Sequence, residues 1–233
     1  MPNARQAGWL RRCLAAGVAG AFLALGAAGC ASNGAAKAAD PARVQRLGAL
    51  FVQTMPIGWI AERVAQLDPQ WPMQQHAGKF TPAQLACTRG QLTADKWDAT
   101  VIGNADALRR RHSDRVQQST QLLEAGAAET TGMLMRAGVR EGTGGAKVDA
   151  SRLMAELTAA QLRSFVTLTE NPQYAELRQA LRLDGITSAS SRQESRQRGF
   201  RLGQSLMAAP LLSAFERCNI SPAAIFDKPG MPA

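Results

Sequence analysis

The chain has 233 residues, 45% of them hydrophobic, and its 27 Lys and Arg against 18 Asp and Glu give a formal net charge of +9. That length supports one compact domain with a real hydrophobic core, or two small ones, and the charge points to anionic partners. A single tyrosine and the absence of any RNA- or DNA-binding signature argue against nucleic acid, and two histidines leave little from which to build a metal centre or a catalytic base.

The N-terminal stretch MPNARQAGWLRRCLAAGVAGAFLALGAAGC carries Arg5, Arg11 and Arg12 and no acid ahead of an apolar run from Leu14 to Leu25. This is the basic region and apolar core of a secretory signal. The run is about a dozen residues, short of the roughly 20 that cross a bilayer as a helix, and the residues after Gly29 are small and polar. WLRRCLAA lacks the polar residue expected before a twin-arginine pair, so the arginines read as signal charge. Ala27, Ala28, Gly29 and Cys30 resemble the lipobox of bacterial lipoprotein precursors, with alanine where leucine usually stands three places before the cysteine. The resemblance implies cleavage before Cys30, acylation of its thiol and residence on a membrane by a lipid anchor such as palmitate. Ala31 comes next, where aspartate would favour the inner membrane, so the expectation is the outer membrane facing the periplasm. An ordinary secreted protein cleaved at an Ala-x-Ala-like site and an uncleaved signal anchor are the alternatives.

Removal of residues 1–29 leaves 204 residues and, with three arginines gone, lowers the charge from +9 to +6. Cys13 leaves with the signal and Cys30 is taken by lipid, so Cys87 and Cys218 remain as an even pair in an oxidising compartment, which suggests a disulfide; two buried free thiols are the alternative. Residues 31–40, ASNGAAKAAD, contain no large apolar group and read as a flexible tether with a typical span on the order of 17 Å.

The signals beyond the tether are helical. Asp40-Pro41 supplies a cap and a first-turn proline, and Val44, Leu47, Phe51 and Met55 recur at steps of three and four. After Pro56 and Gly58 the stripe continues through Ile57, Ile60, Val64 and Leu67, and DPQWPMQQHAGK reads as a loop anchored by Trp71. FTPAQL (80–85) and LTAAQL (157–162) each present a capping box with a hydrophobic staple, fixing helix starts at Thr81 and Thr158. A helix carrying Trp97 and Val101 lies between Lys96 and Leu108. Ser113 caps a longer one through Val116, Leu123, Met133 and Leu134 to about Val139. EGTGGAK (141–147), with three glycines, reads as a linker and a subdomain break within the helical domain, 41–233. Asp149 or Ser151 opens a short helix, Asn171-Pro172 another that runs to Asp184-Gly185, and a last one from about Ser188 to Arg217 carries Phe200, Leu206, Leu211, Leu212 and Phe215, with Pro210 as a kink. Without sustained alternation of β-branched residues, the chain reads as all-α, a single helical domain of about seven or eight helices.

The candidate chemistry is sparse. No G-x-S-x-G, S-x-x-K or H-E-x-x-H is present. His76 and His112 lie 36 residues apart, and neither their spacing nor that of Cys87 and Cys218 matches a zinc motif. A Cys87–His pair lacks supporting context. Glu170 with Glu176 and Asp95 with Asp98 are spaced like surface charges. No catalytic residue, metal or cofactor is implied. Two basic clusters stand out: Arg109, Arg110, Arg111 and Arg115, and then Arg192, Arg196, Arg198 and Arg201. On a helix the second set spreads over a broad face, either solvated or in contact with an anionic partner.

LTAAQLRSFVTLTENPQYAELRQALR (157–182) resembles the C-terminal half of the exported domain-of-unknown-function family 2059, with Leu168-Thr169 replacing its usual Phe-Tyr and no glycine after the break. That family brings no catalytic residues. The sequence therefore reads as a lipid-anchored interaction module for another envelope protein, of inhibitor or immunity type; a cell-wall or lipid hydrolase with an unrecognised site and a structural peptidoglycan-binding component are the alternatives.

Overall fold

The computed structural model describes residues 41–76, 78–184 and 191–223, with only the backbone given at 75, 150, 192, 195, 196 and 200. The signal, Cys30, the tether and Asp40 lie outside the described residues. Every regular element described is helical.

Helix α1 (Pro41–Thr54) begins at the expected proline and buries Leu47, Leu50 and Phe51. It ends before Pro56, and α2 (Ile57–Leu67) restarts the chain in a new direction. The stripe read for α2 is only half-buried: Gly58 and Ala61 are its buried positions, and Leu67, expected inside, is 45% exposed. The following loop turns through a cis Trp71-Pro72 bond and a 3₁₀ turn at Gln74–His76. Trp71 is buried there as expected, but Met73 is buried more deeply.

Helix α3 (Pro82–Gln91) starts at Thr81, whose hydroxyl accepts from Gln84 N at 3.2 Å while the Gln84 side chain accepts from Thr81 N at 2.9 Å. Its staple residues, Phe80 and Leu85, are both buried. Helix α4 (Ala94–Arg111) is long enough to touch α1, α2 and α9 and buries Trp97, Val101, Ala105 and Leu108 on one face, the spacing an amphipathic helix requires.

The long helix expected from Ser113 is broken. Ser113–Arg115 form a 3₁₀ turn without a side-chain cap, α5 (Val116–Leu122) comes after it, and a π-type turn at Leu123–Ala127 leads into α6 (Ala128–Gly142). Gly126 adopts φ +113° inside that turn, a conformation that only glycine takes readily, and α8 packs directly on it. On α6, Gly132 meets α1 so closely that a Cβ there would stand 2.0 Å from the Gln53 carbonyl oxygen.

The glycine run 142–145 is a helix stop. Gly145 N donates to Arg140 O and Gly144 N to Glu141 O, with Gly144 at φ +86°, the paired bonds of a Schellman cap. Asp149 then caps α7 (Ala150–Ala155) through bonds from Ser151 N and Arg152 N. The second capping box opens α8 (Ala159–Glu170) at Thr158. Contacts join the two sides of the glycine run: Ser164 Oγ donates to Ala125 O, and Gln161 donates to Glu129. Asn171 caps a 3₁₀ turn that continues into α9 (Ala175–Ala180). The chain leaves that helix at Arg182, φ 56°, short of the Asp184-Gly185 end read from the sequence. Ser191 caps α10 (Arg192–Arg217), which contains Pro210. Seven helices, α1–α4, α6, α8 and α10, have ten or more residues, in agreement with the all-α reading.

The main core joins α1, α4, the α5–α6 turn, Leu168 of α8 and Leu177, Leu181 and Leu183 from the α9 region. Two smaller clusters depend on the end of α10. Ala214 packs with Ala61, Trp71, Leu92 and Trp97, and Phe215 with Met73, Phe80, Leu85 and Ile220. Leu211 is half-buried beside both, whereas Leu212 is 46% exposed. No described helix is long and apolar enough to cross a membrane.

Candidate functional site

The arginine-rich start of α10 faces the end of α9 across an open cleft of about 600 Å³. Its charged lining is Arg182, Arg198 and Arg201 against Asp184 and Glu194; Gln179, Leu202 and Ser205 complete it. The sequence read Arg192, Arg196, Arg198 and Arg201 as one broad outer face. In the structure Arg198 is turned into the cleft, where its guanidinium donates to Glu194 one turn before it and its side chain is 27% exposed. Arg201 is exposed on the same wall. The side chains of Arg192 and Arg196 lie outside the described residues, although both positions are on α10.

Arg182 was not legible as part of this site. It closes YAELRQALR and looks like one more charge on a helix, but its positive φ carries the chain off α9; nothing in a non-glycine letter announces that conformation. Next to it, burial pushes the Asp184 carboxyl above its ordinary range, and Arg178, 3.8 Å away, opposes the shift. Arg178 also ties α9 to α8 by donating to Leu168 O and Asn171 O. The cleft thus offers guanidinium groups interleaved with carboxylates, one of them held by Glu194, an arrangement for recognising charge.

The other basic cluster is largely paired. Arg109 and Arg110 both reach Asp106, whose carboxyl they hold below its usual range, the Arg109 hydrogen bond foremost. Arg115 lies 3.3 Å from Asp114.

Cys87, on α3, and Cys218, at the cap of α10, are joined as a disulfide with Cα atoms 5.9 Å apart. The bridge removes Cys87 as a thiolate for a Cys–His pair or a metal. Among the described residues no group of three His, Cys, Asp or Glu side chains is placed to hold a metal ion. Asp98 is a perturbed carboxylate beside the core. Burial raises its pKa, with Glu62 and Asp95 adding repulsion, while the Gly58 N–H at the start of α2 lowers it. Its Oδ1 has no hydrogen-bond partner. It lies against the first turn of α2, whose own N-cap, Pro56, offers no side-chain bond.

No family model, curated protein or solved structure matches the chain.

Proposed function

We propose that the protein is a lipoprotein of the bacterial envelope, anchored through acylated Cys30, whose helical domain is a non-catalytic interaction module for another envelope protein, of inhibitor or immunity type. The observation that carries this reading is the sequence LGAAGC at 25–30, placed after a basic and then apolar segment and before ten residues without a large apolar group. An acyl anchor and a short tether keep the domain close to the membrane surface. The outer membrane facing the periplasm is the location that Ala31 favours. The disulfide is consistent with an oxidising compartment. The arginine-lined cleft is suited to an acidic partner, and the exported family that residues 157–182 resemble brings no catalytic residues.

The partner half of the proposal is tested by placing a photo-crosslinking residue at Ser205, on the cleft wall, in the full-length protein and irradiating isolated envelopes. One protein adduct is expected, with a yield that falls on raising salt and in the variant carrying Arg192→Gln, Arg196→Gln and Arg201→Gln. Arg201 is exposed, and exposed charges contribute little to stability; circular dichroism of the variant beside the wild type checks that it folds. An adduct indifferent to both changes, or hydrolysis of envelope material by the purified protein, would overturn the proposal.

A further inference from the structure

A second concavity, of about 480 Å³, lies between α4 and the C-terminal half of α10. It exists because α10 docks on α3, where Cys87 and Phe215 hold it, while the positions it turns toward α4 are small: Ala209, Ser213 and Ala214. Exposed Ala99 and half-buried Pro210 extend this apolar wall, and Leu92 and Trp97, both buried, form its floor. Two donors on the α4 wall are already paired. Trp97 Nε1 donates to Leu92 O at 3.2 Å, and Thr100 Oγ1 donates to Lys96 O at 3.0 Å.

At one end the character changes. Lys96 Nζ and Arg217 Nη1 donate to the same atom, Gln91 Oε1, at 3.2 and 3.1 Å. The two nitrogens are therefore no further apart than the sum of those distances. Lys96 also donates to Gly90 O, so the carbonyl end of α3 helps to hold the cations there. Neither cation forms a salt bridge with a carboxylate among the described residues. Two positive charges gathered on a neutral amide repel each other, and an anion placed between them would relieve that repulsion.

We infer that this groove binds a single-chain carboxylate amphiphile, a medium-chain fatty acid, with its carboxylate on Lys96 and Arg217 and its chain along Ala99, Ala209 and Pro210, over the buried floor of Leu92 and Trp97. The run of α10 from Ala209 to Arg217 is about 12 Å long, the reach of an acyl chain of roughly ten carbons. The volume is within the range of small-molecule sites, roughly 300–1,000 Å³. A peptide ending in a carboxylate presents the same head group, but its backbone amides would need partners at regular intervals along the groove, where the donors of Trp97 and Thr100 are paired within the protein and Ser213 alone offers a further hydroxyl. The inference is independent of the partner proposed for the cleft.

Calorimetric titration of the purified full-length protein separates the terms. Decanoate is expected to bind, decanol more weakly, and acetate not measurably. The Lys96→Met, Arg217→Met variant should lose about tenfold in decanoate affinity, the equivalent of one charge-assisted contact, and leave decanol unchanged. Ala209→Phe, at an exposed position on the wall, should abolish both. If the two cations only cap α3, the double variant will lose stability without changing the decanoate-to-decanol ratio, and the inference fails. It also fails if decanol binds as tightly as decanoate, if Ala209→Phe leaves binding intact, or if an apolar peptide with a free C-terminus binds more tightly than decanoate.

Discussion

Removing the Cys87–Cys218 bridge by substituting both residues with alanine should reduce stability more than any single cap or surface change. The cysteines are 131 positions apart, and closing a loop of that length costs the unfolded chain about 5 kcal/mol on the chain-entropy model. A domain has only about 5–15 kcal/mol in total. What remains to hold α10 is its buried end, Ala214 and Phe215, with Phe215 against Phe80 at a ring separation of 5.8 Å, and half-buried Met207 and Leu211 beside them. With a urea slope of about 2 kcal/mol/M, the midpoint should fall by about 2.5 M. Urea titration monitored by tryptophan fluorescence reads the clusters around Trp71 and Trp97, and far-ultraviolet circular dichroism reads the helices as a whole. Because the bridge acts on the unfolded chain, both probes should shift together, and reducing the wild-type protein should reproduce the change. A midpoint moved by less than about 0.5 M in both cases would refute the reasoning. Fluorescence falling well ahead of circular dichroism would show that the bridge holds only α10.

Close contacts and caps set further expectations. Gly132→Ala puts a Cβ 2.0 Å from the Gln53 carbonyl and should cost about 1–3 kcal/mol in overpacking, more than the gain of roughly 1 kcal/mol in helix propensity. Gly138→Ala on the same helix, with nothing within 4 Å, should stabilise; denaturation of the pair checks the contrast. Thr81→Ala should cost about 1 kcal/mol and exceed Thr158→Ala in thermal melts, because the Phe80–Leu85 staple is buried while Leu162 is 37% exposed. Burial raises Asp98 above the ordinary 3.8, so its contribution to stability is present below that value and is lost as pH rises through the folded-state pKa. Asp98→Asn should therefore melt higher than wild type at pH 7 and match it near pH 3; the reverse order would show that its charge supports the start of α2.

Much of the fold is legible where a local rule coincides with packing. Leu47, Phe51 and Met55 recur at helical spacing and are all buried, and the two T-x-x-Q boxes form as written because the cap chemistry is contained in four residues. The failures arise where tertiary contact decides. Leu67 continues the α2 pattern but extends past its packing surface. LLEAGAAET gives one glycine as its only signal, yet Gly126 breaks the helix where α8 must pass. EGTGGAK has the composition of a linker and the hydrogen bonds of a helix cap. In the sites, arginine density on α10 locates one cleft wall, but Arg182 enters through a backbone conformation its letter does not encode. Gln91, Lys96 and Arg217 converge only after α3 and α10 are brought together.

That this helical domain is carried on a membrane by Cys30 is tested most directly by metabolic palmitate labelling of the full-length protein beside its Cys30→Ser variant. Label on the wild-type protein, its recovery in the membrane fraction, and loss of both in the variant are the expected results. Label that persists without the Cys30 thiol, or wild-type protein that carries none, would contradict the lipid anchor.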